Sequence, residues 1–260
     1  MGRAIAITSG KGGVGKSSVC VNLGIVLAQM GYRVCLIDVD LGLKNLDVML
    51  GLENRVLYDL RDVMEGTCTL QKAILKDKQE SNLFLLPACK TVNLRYFQGS
   101  DLKIVVHELK KEFDYILLDT PAGIESGFVH SIACVEDVIL VTNLDITSLQ
   151  DADRVIGILM KERIHSIQLV VNRMNPRFIQ KGISVSLEDA MHWLSIDLLG
   201  YVFDDENMIR SNNRGKPISL HKHTLVYECF EAMAKRLCGE GTAPLPKFRE
   251  KRLLQKIFGS

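Results

Sequence analysis

The sequence predicts an α/β fold, a doubly wound, mostly parallel sheet with helices on both faces, and three observations predict it. Short β-branched apolar runs alternate with longer amphipathic segments along 260 residues. The strand candidates are near-continuously apolar, the pattern of strands covered on both faces in a parallel sheet flanked by helices. The first apolar run also passes straight into a glycine-rich turn that opens onto a helical segment.

In chain order, Arg3 to Thr8 reads as the first strand, and Ser18 to Met30 follows with helical spacing. Val34 to Ile37 and Leu83 to Leu86 are short runs of the buried-strand type, and the helix Asp101 to Glu112 leads into the apolar strand Tyr115 to Leu118. Strand Val138 to Thr142, helix Ser148 to Lys161, strands Gln168 to Val171 and Leu198 to Phe203, and helix Leu225 to Cys238 continue the alternation. The one break in composition, Gly239-Glu-Gly-Thr-Ala-Pro-Leu-Pro246, reads as a flexible linker because its Gly and Pro cannot extend the preceding helix. The chain thus divides into a domain over 1–238, a linker over 239–246 and a tail over 247–260.

With 47% hydrophobic residues the chain can bury one substantial core. Its 32 basic and 31 acidic residues leave a net charge of +1, so no specific nucleic acid is expected as a partner and any electrostatic partner must meet a local patch. The seven cysteines are odd in number and form no C-x-x-C pair, which suits small buried apolar residues in a reducing compartment. The start runs directly into a strand with no room for a signal peptide, and Ala6 stands where N-myristoylation needs Ser or Thr. No apolar run approaches the roughly 18 residues of a spanning helix. A cytoplasmic location is therefore expected.

The run Gly10-Lys11-Gly12-Gly13-Val14-Gly15-Lys16-Ser17 has the G-x-x-x-x-G-K-[ST] spacing of a phosphate-cradling loop, with Ser18 beside it at the helix start. Its glycines let successive backbone N–H groups turn inward on phosphates, Lys16 meets the terminal phosphate oxygens, and the Ser17 hydroxyl holds Mg²⁺. The strand-loop-helix setting is the one this mechanism requires, and it makes the expected fold that of a P-loop NTPase. Asp119 follows an apolar strand next to the loop, where a carboxylate holds Mg²⁺ through water. Asp38 and Asp40 end another strand, and alternation points both to the same crevice, one to assist the metal and the other to orient an attacking water. An isolated Asp at a strand end also serves as a cap or turn former; three converging on one loop favour the catalytic reading.

Lys11-Gly-Gly-Val-Gly-Lys-Ser17 resembles the deviant Walker A loop of the MinD/ParA ATPase family. Asp38-Val-Asp-Leu-Gly-Leu-Lys-Asn-Leu-Asp47 and Asp119-Thr-Pro-Ala-Gly-Ile-Glu-Ser-Gly127 resemble its septum-site-determining branch, and the likeness covers essentially the whole chain. The resemblance implies ATP and Mg²⁺ as ligands and an ATP-dependent homodimer. In it Lys11 reaches the partner's phosphates, so charge stabilisation is withheld until assembly, as with an arginine finger. It implies further that Asp40 positions the water, that Asn45 contacts the opposing nucleotide region, and that Asn172 and Arg173 lie near the adenine. For Asn172 to Pro176 a strand-ending turn is the other reading.

Some positions depart from the family pattern. Ser17 replaces the more frequent Thr and keeps the hydroxyl, while Leu144 and Phe203 stand where many relatives carry Pro, which touches the adenine-side geometry only. Family partners dock near the helix that contains Gln150-Asp-Ala-Asp-Arg154, so Asp151 and Asp153 mark a candidate partner surface. Acidic residues near a helix start also have a simple dipole explanation.

From Lys247 to Phe258 the tail carries five basic residues against Glu250, a local charge of +4. At about 100° per residue Leu253, Leu254, Ile257 and Phe258 share one arc, with Arg249, Arg252 and Lys256 mainly opposite, the pattern of an interfacial helix on anionic lipid. Phe248, counted with the membrane residues, falls outside that arc and Glu250 inside it, so the first turn fits less well; a docked structural helix is the alternative. One short tail gives marginal membrane affinity, and two on an ATP-bound dimer give avidity. The resemblance then implies a protein reversibly peripheral on the inner face of the cell membrane. It would place the division inhibitor MinC away from midcell, with MinE or a polar scaffold shaping its distribution. Rival readings are a ParA-like DNA-segregation ATPase, which needs a basic dimer face, and a flagellar-number regulator of the same family. An iron-sulfur electron-transfer ATPase is disfavoured, because no cysteine follows Asp119-Thr-Pro-Ala.

Overall fold

The structure, a computed structural model, describes residues 1–40, 45–89, 99–124, 126–241 and 243–247. The tail residues Phe248, Arg249, Arg252, Leu253, Leu254, Lys256, Ile257 and Phe258 lie outside the described residues. The strands are β1 (Arg3–Thr8), β2 (Val34–Asp38), β3 (Leu75–Lys76), β4 (Leu83–Leu86), β5 (Tyr115–Asp119), β6 (Asp137–Thr142), β7 (Ser166–Met174) and β8 (Asp197–Phe203). The longer helices are α1 (Lys16–Gln29), α5 (Gly99–Leu109), α7 (Ile146–Lys161), α9 (Leu187–Leu194) and α11 (Leu225–Leu237). Between them lie the short α2 (Leu46–Met49), α3 (Leu60–Met64), α4 (Leu70–Ala73), α6 (Ser126–Ile132), α8 (Pro176–Gln180) and α10 (Glu206–Asn212).

The strands form one eight-stranded sheet in the order β3-β4-β2-β5-β1-β6-β7-β8. Every pairing is parallel except the two-residue β3 against β4. Successive side chains of a strand face opposite ways, and β2 and β5 are buried at every position, so both faces of the sheet are covered. The helix α1, buried on every side from Val19 to Ala28, packs between the sheet and α11. Gly24 sits where a Cβ would stand 2.7 Å from Leu36 Cδ2, which is how α1 comes so close to the central strands. Connections leaving β1 and β5 run toward opposite edges, which opens a crevice beyond the carboxyl ends of these strands.

Every expected strand is present, and the differences lie at ends and edges. β3 is too short to show any periodicity in sequence. α7 starts at Ile146 because the Asp145 side chain accepts from the Ser148 N–H, an N-cap the apolar spacing does not reveal. Asp151 and Asp153 are therefore well inside the helix, and the dipole role at its start belongs to Asp145. β7 extends through Met174, so Asn172 and Arg173 belong to the strand, and the turn comes at Asn175, which caps α8 ahead of Pro176. Residues 243–246 of the expected flexible linker lie against the sheet edge: Arg236 Nε donates to the Ala243 carbonyl at 2.8 Å and the Tyr201 hydroxyl to that of Pro246 at 2.8 Å. Among the described residues no helix is long and apolar enough to cross a membrane.

Candidate functional site

The glycine loop leaves β1 at its carboxyl end and enters α1. Gly13 and Gly15 take φ of +80° and +95°, the left-handed region that side chains disfavour. Between them Val14 is buried, and its carbonyl accepts from Asn172 Nδ2 at 2.7 Å. Asn172 on β7 thus props the loop from beneath, and a Cβ on Gly15 would stand 2.2 Å from its Nδ2. At the other end Gly10 lies against α7, where a Cβ would meet the Asp151 carbonyl oxygen at 2.3 Å. The exposed Gly12 and Gly13 have no atom within 4 Å of a built Cβ, which leaves that stretch of backbone open to a ligand.

Lys16 opens α1 and turns into the protein. It is 6% exposed, and its Nζ lies 2.7 Å from Oδ1 of the fully buried Asp119. Burial pulls the Lys16 pKa down, but the Asp119 charge and hydrogen bond outweigh it and leave the ammonium above its usual value. Asp38 and Asp119 end adjacent strands in direct register. The Asp38 Oδ1 accepts from the Asp40 N–H at 3.2 Å, and its Oδ2 from the N–H groups of Asn45 at 3.2 Å and Leu46 at 3.3 Å. Asp38 therefore gathers the chain on both sides of 41–44, including Asn45 at the cap of α2. Burial first, and the neighbouring Asp119 charge second, push the Asp38 carboxyl up to about 8. Asp40 lies beyond the end of the strand and is partly exposed. Burial raises its pKa, Lys16 lowers it and Asp119 raises it, so the three carboxylates do share one field.

A folded-state pKa above the unfolded value contributes stability that is present at low pH and lost as pH rises through the folded pKa. The contribution of Asp38 to the nucleotide-free fold is therefore expected to fall between the ordinary carboxylate range and about pH 8. Asp38→Asn does not titrate, so its unfolding free energy relative to wild type should shift in favour of the variant from pH 5 to pH 9. A difference that stays flat across this range contradicts the assignment.

Lys11, the second lysine of the loop, does not join Lys16. It is exposed, and its Nζ contacts Thr147 Oγ1 at 3.1 Å, where Thr147 in turn donates to Asp145 Oδ1 at 2.6 Å. Ser17 lies half-buried on the first turn of α1, and Ser18 Oγ accepts from Asn212 Nδ2 at 2.8 Å. Asn172 and Arg173 line a cleft with Gly15, Ser18, Phe203, Asp204, Asp205, Met208, Ile209 and Asn212. Sequence reasoning missed Thr147, Met208 and Asn212. Sequence reasoning missed Asp205 as well, which caps α10 by accepting from the Asn207 N–H just beyond the carboxyl end of β8. Asp153 is exposed on α7, while Asp151 is half-buried and pairs with Arg154 at 3.3 Å.

Residues 5–218 match the model of the CobQ/CobB/MinD/ParA nucleotide binding domain. The chain is 44% identical to the septum site-determining protein MinD of Bacillus subtilis, over 99% of this chain and 97% of that one. The MinD fold in the MinC:MinD cell division protein complex of Aquifex aeolicus superposes with a TM-score of 0.88 at 38% identity, covering 95% of this chain and 98% of that one. The Pyrococcus horikoshii MinD complexed with Mg-ADP superposes at 0.83 with 29% identity, over 93% and 98% of the two chains. A chain that matches full-length relatives at this identity, with a phosphate loop, a buried lysine and strand-end carboxylates in one crevice, belongs to the MinD/ParA family of nucleotide-binding ATPases, on its septum-site-determining branch.

Proposed function

We propose that the chain hydrolyses ATP with Mg²⁺ in a homodimer formed with ATP, holds to anionic membrane through its tail, and carries the division inhibitor MinC there, so placing the division site. The observation that carries the nucleotide reading is the buried Lys16–Asp119 pair under an open glycine loop, with Asp119 Oδ2 buried and, among the described residues, without a hydrogen-bond partner. An unsatisfied buried carboxylate oxygen beside a phosphate cradle fits a hydrated divalent cation. Ser17, Asp38, Asp40 and Asp119 would hold Mg²⁺, which when bound neutralises charge on the phosphate oxygens.

Gly10 to Ser18 would wrap the phosphates, and Asn172 and Arg173 would border the adenine. Asp40 would orient the water. Lys11, exposed and held at the α7 start by Thr147, would swing to the phosphates of a second copy, and Asn45 would approach them from the partner side. Asp153, with Asp151, would form the surface for MinC and for a regulator of the MinE or polar-scaffold kind. Full-length similarity to division-site proteins favours this reading over DNA segregation or flagellar-number control.

The test is cosedimentation with anionic lipid vesicles, comparing the intact chain with one ending at Pro246. ATP, and not ADP, should pellet the intact chain alone. Indifference to nucleotide and to truncation rejects the membrane reading.

A further inference from the structure

We infer that residues 243–246 form a strap fixed to the edge of the sheet, so that the chain leading to the tail is held to the fold as far as Pro246 and not only as far as Gly239. β8 ends the strand order and would otherwise present an open edge. Residues 243–247 are not paired to β8 as a strand, and Pro244 and Pro246, two apart, lack the N–H groups that a further strand on their side would need. Side chains make the attachment in its place. Arg236 of α11 donates from Nε to the Ala243 carbonyl at 2.8 Å and from Nη1 to the carbonyls of Leu198 at 3.2 Å and Leu199 at 3.3 Å. One planar fork thereby joins the strap to the strand. The Tyr201 hydroxyl holds the Pro246 carbonyl at 2.8 Å. Between these two points Leu245 rests over Gly200, where a Cβ would stand 3.2 Å from Leu245 Cδ2 and 2.4 Å from Met233 Cγ. Ala243 is 8% exposed, the burial of a core residue.

The consequence rests on the membrane reading above. A chain held to the fold as far as Pro246 raises the effective concentration of the second anchor once the first is engaged. Arg236 and Tyr201 are positioning residues for that anchor; the Tyr201 ring meets Phe203 of the cleft edge-on at 5.3 Å, a contact that Tyr201→Phe keeps.

The experiment follows hydrogen exchange of the full chain across 240–247 and, in parallel, ATP-dependent vesicle binding, for wild type, Arg236→Gln and Tyr201→Phe. Tyr201→Phe removes one hydroxyl and serves where Arg236→Gln fails to fold. The wild-type amide of Ala243, which is buried and donates to the Glu240 carbonyl at 2.8 Å, should exchange at least about tenfold slower than in an unstructured chain and lose that protection in the variants. Half-maximal vesicle binding should require roughly threefold more lipid in the variants, with solution ATPase unchanged. An unprotected wild-type amide, or protection that survives in both variants, overturns the strap. Lost protection with an unchanged lipid requirement overturns its role in anchoring. A wild-type chain that ignores vesicles with ATP rejects the membrane reading instead, and exchange alone then decides the strap.

Discussion

Replacing Lys16 with Met is expected to lower nucleotide turnover by at least about 100-fold, the usual loss when one preorganised donor to a transition-state oxyanion is removed. The same change should destabilise the nucleotide-free fold by about 3–5 kcal/mol, because it strands the fully buried Asp119 carboxylate without its counter-charge. These two losses have different causes and separate in the double variant Lys16→Met with Asp119→Asn. Removing both charges should recover most of the stability in urea unfolding and none of the phosphate release. A single variant as stable as wild type shows that the ion pair does not hold the apo site together. A double variant that recovers turnover removes Lys16 from the chemistry.

Gly10→Ala should be nearly as damaging, for a reason that lies in α7. The added Cβ meets the Asp151 carbonyl oxygen at 2.3 Å, and backbone cannot rotate away as a side-chain end can. The loop and α7 must part, at a cost of about 1–3 kcal/mol, as for other overpacked contacts. Thr147 moves with α7, so the resting contact of Lys11 is lost too. Gly12→Ala is the control: nothing lies within 4 Å of its new methyl, so thermal stability should stay within about 0.5 kcal/mol. Its nucleotide affinity should nevertheless fall, because the methyl occupies space the phosphates need. Equal stability for both variants would refute the packing of α7 on the loop.

The parallel sheet was legible because its strands are apolar at consecutive positions, a pattern that survives without any tertiary knowledge. The phosphate loop was legible because its chemistry is written in adjacent residues. What the sequence hid depends on contacts between distant segments. The amide of Asn172 supports the Val14 carbonyl, which is why a polar residue continues β7 past the apolar run. Asp38 and Asp40 were expected to point alike by strand alternation. The strand stops at Asp38, and the Asp40 N–H turns back onto the Asp38 carboxylate, so the shared crevice comes from a turn rather than from the pleat. Lys11 parks on Thr147, a residue with no motif around it. Asn212 reaches Ser18 across 194 positions of sequence, beyond the range of any local pattern.

The sheet's two margins bear on a hazard that any protein present at high local concentration must meet. Crowded copies with bare strand edges can add to one another by main-chain pairing and precipitate. Here one margin is β3, only two residues long and antiparallel, with Lys76 reaching over the Phe84 ring at 5.9 Å. Such a stub, tipped with a charge, offers almost no ladder for a neighbour to extend. The other margin is overlaid by a segment whose prolines cannot continue the ladder. Among the described residues neither margin presents a long, flat template, so crowding alone gives neighbouring copies little main chain to extend.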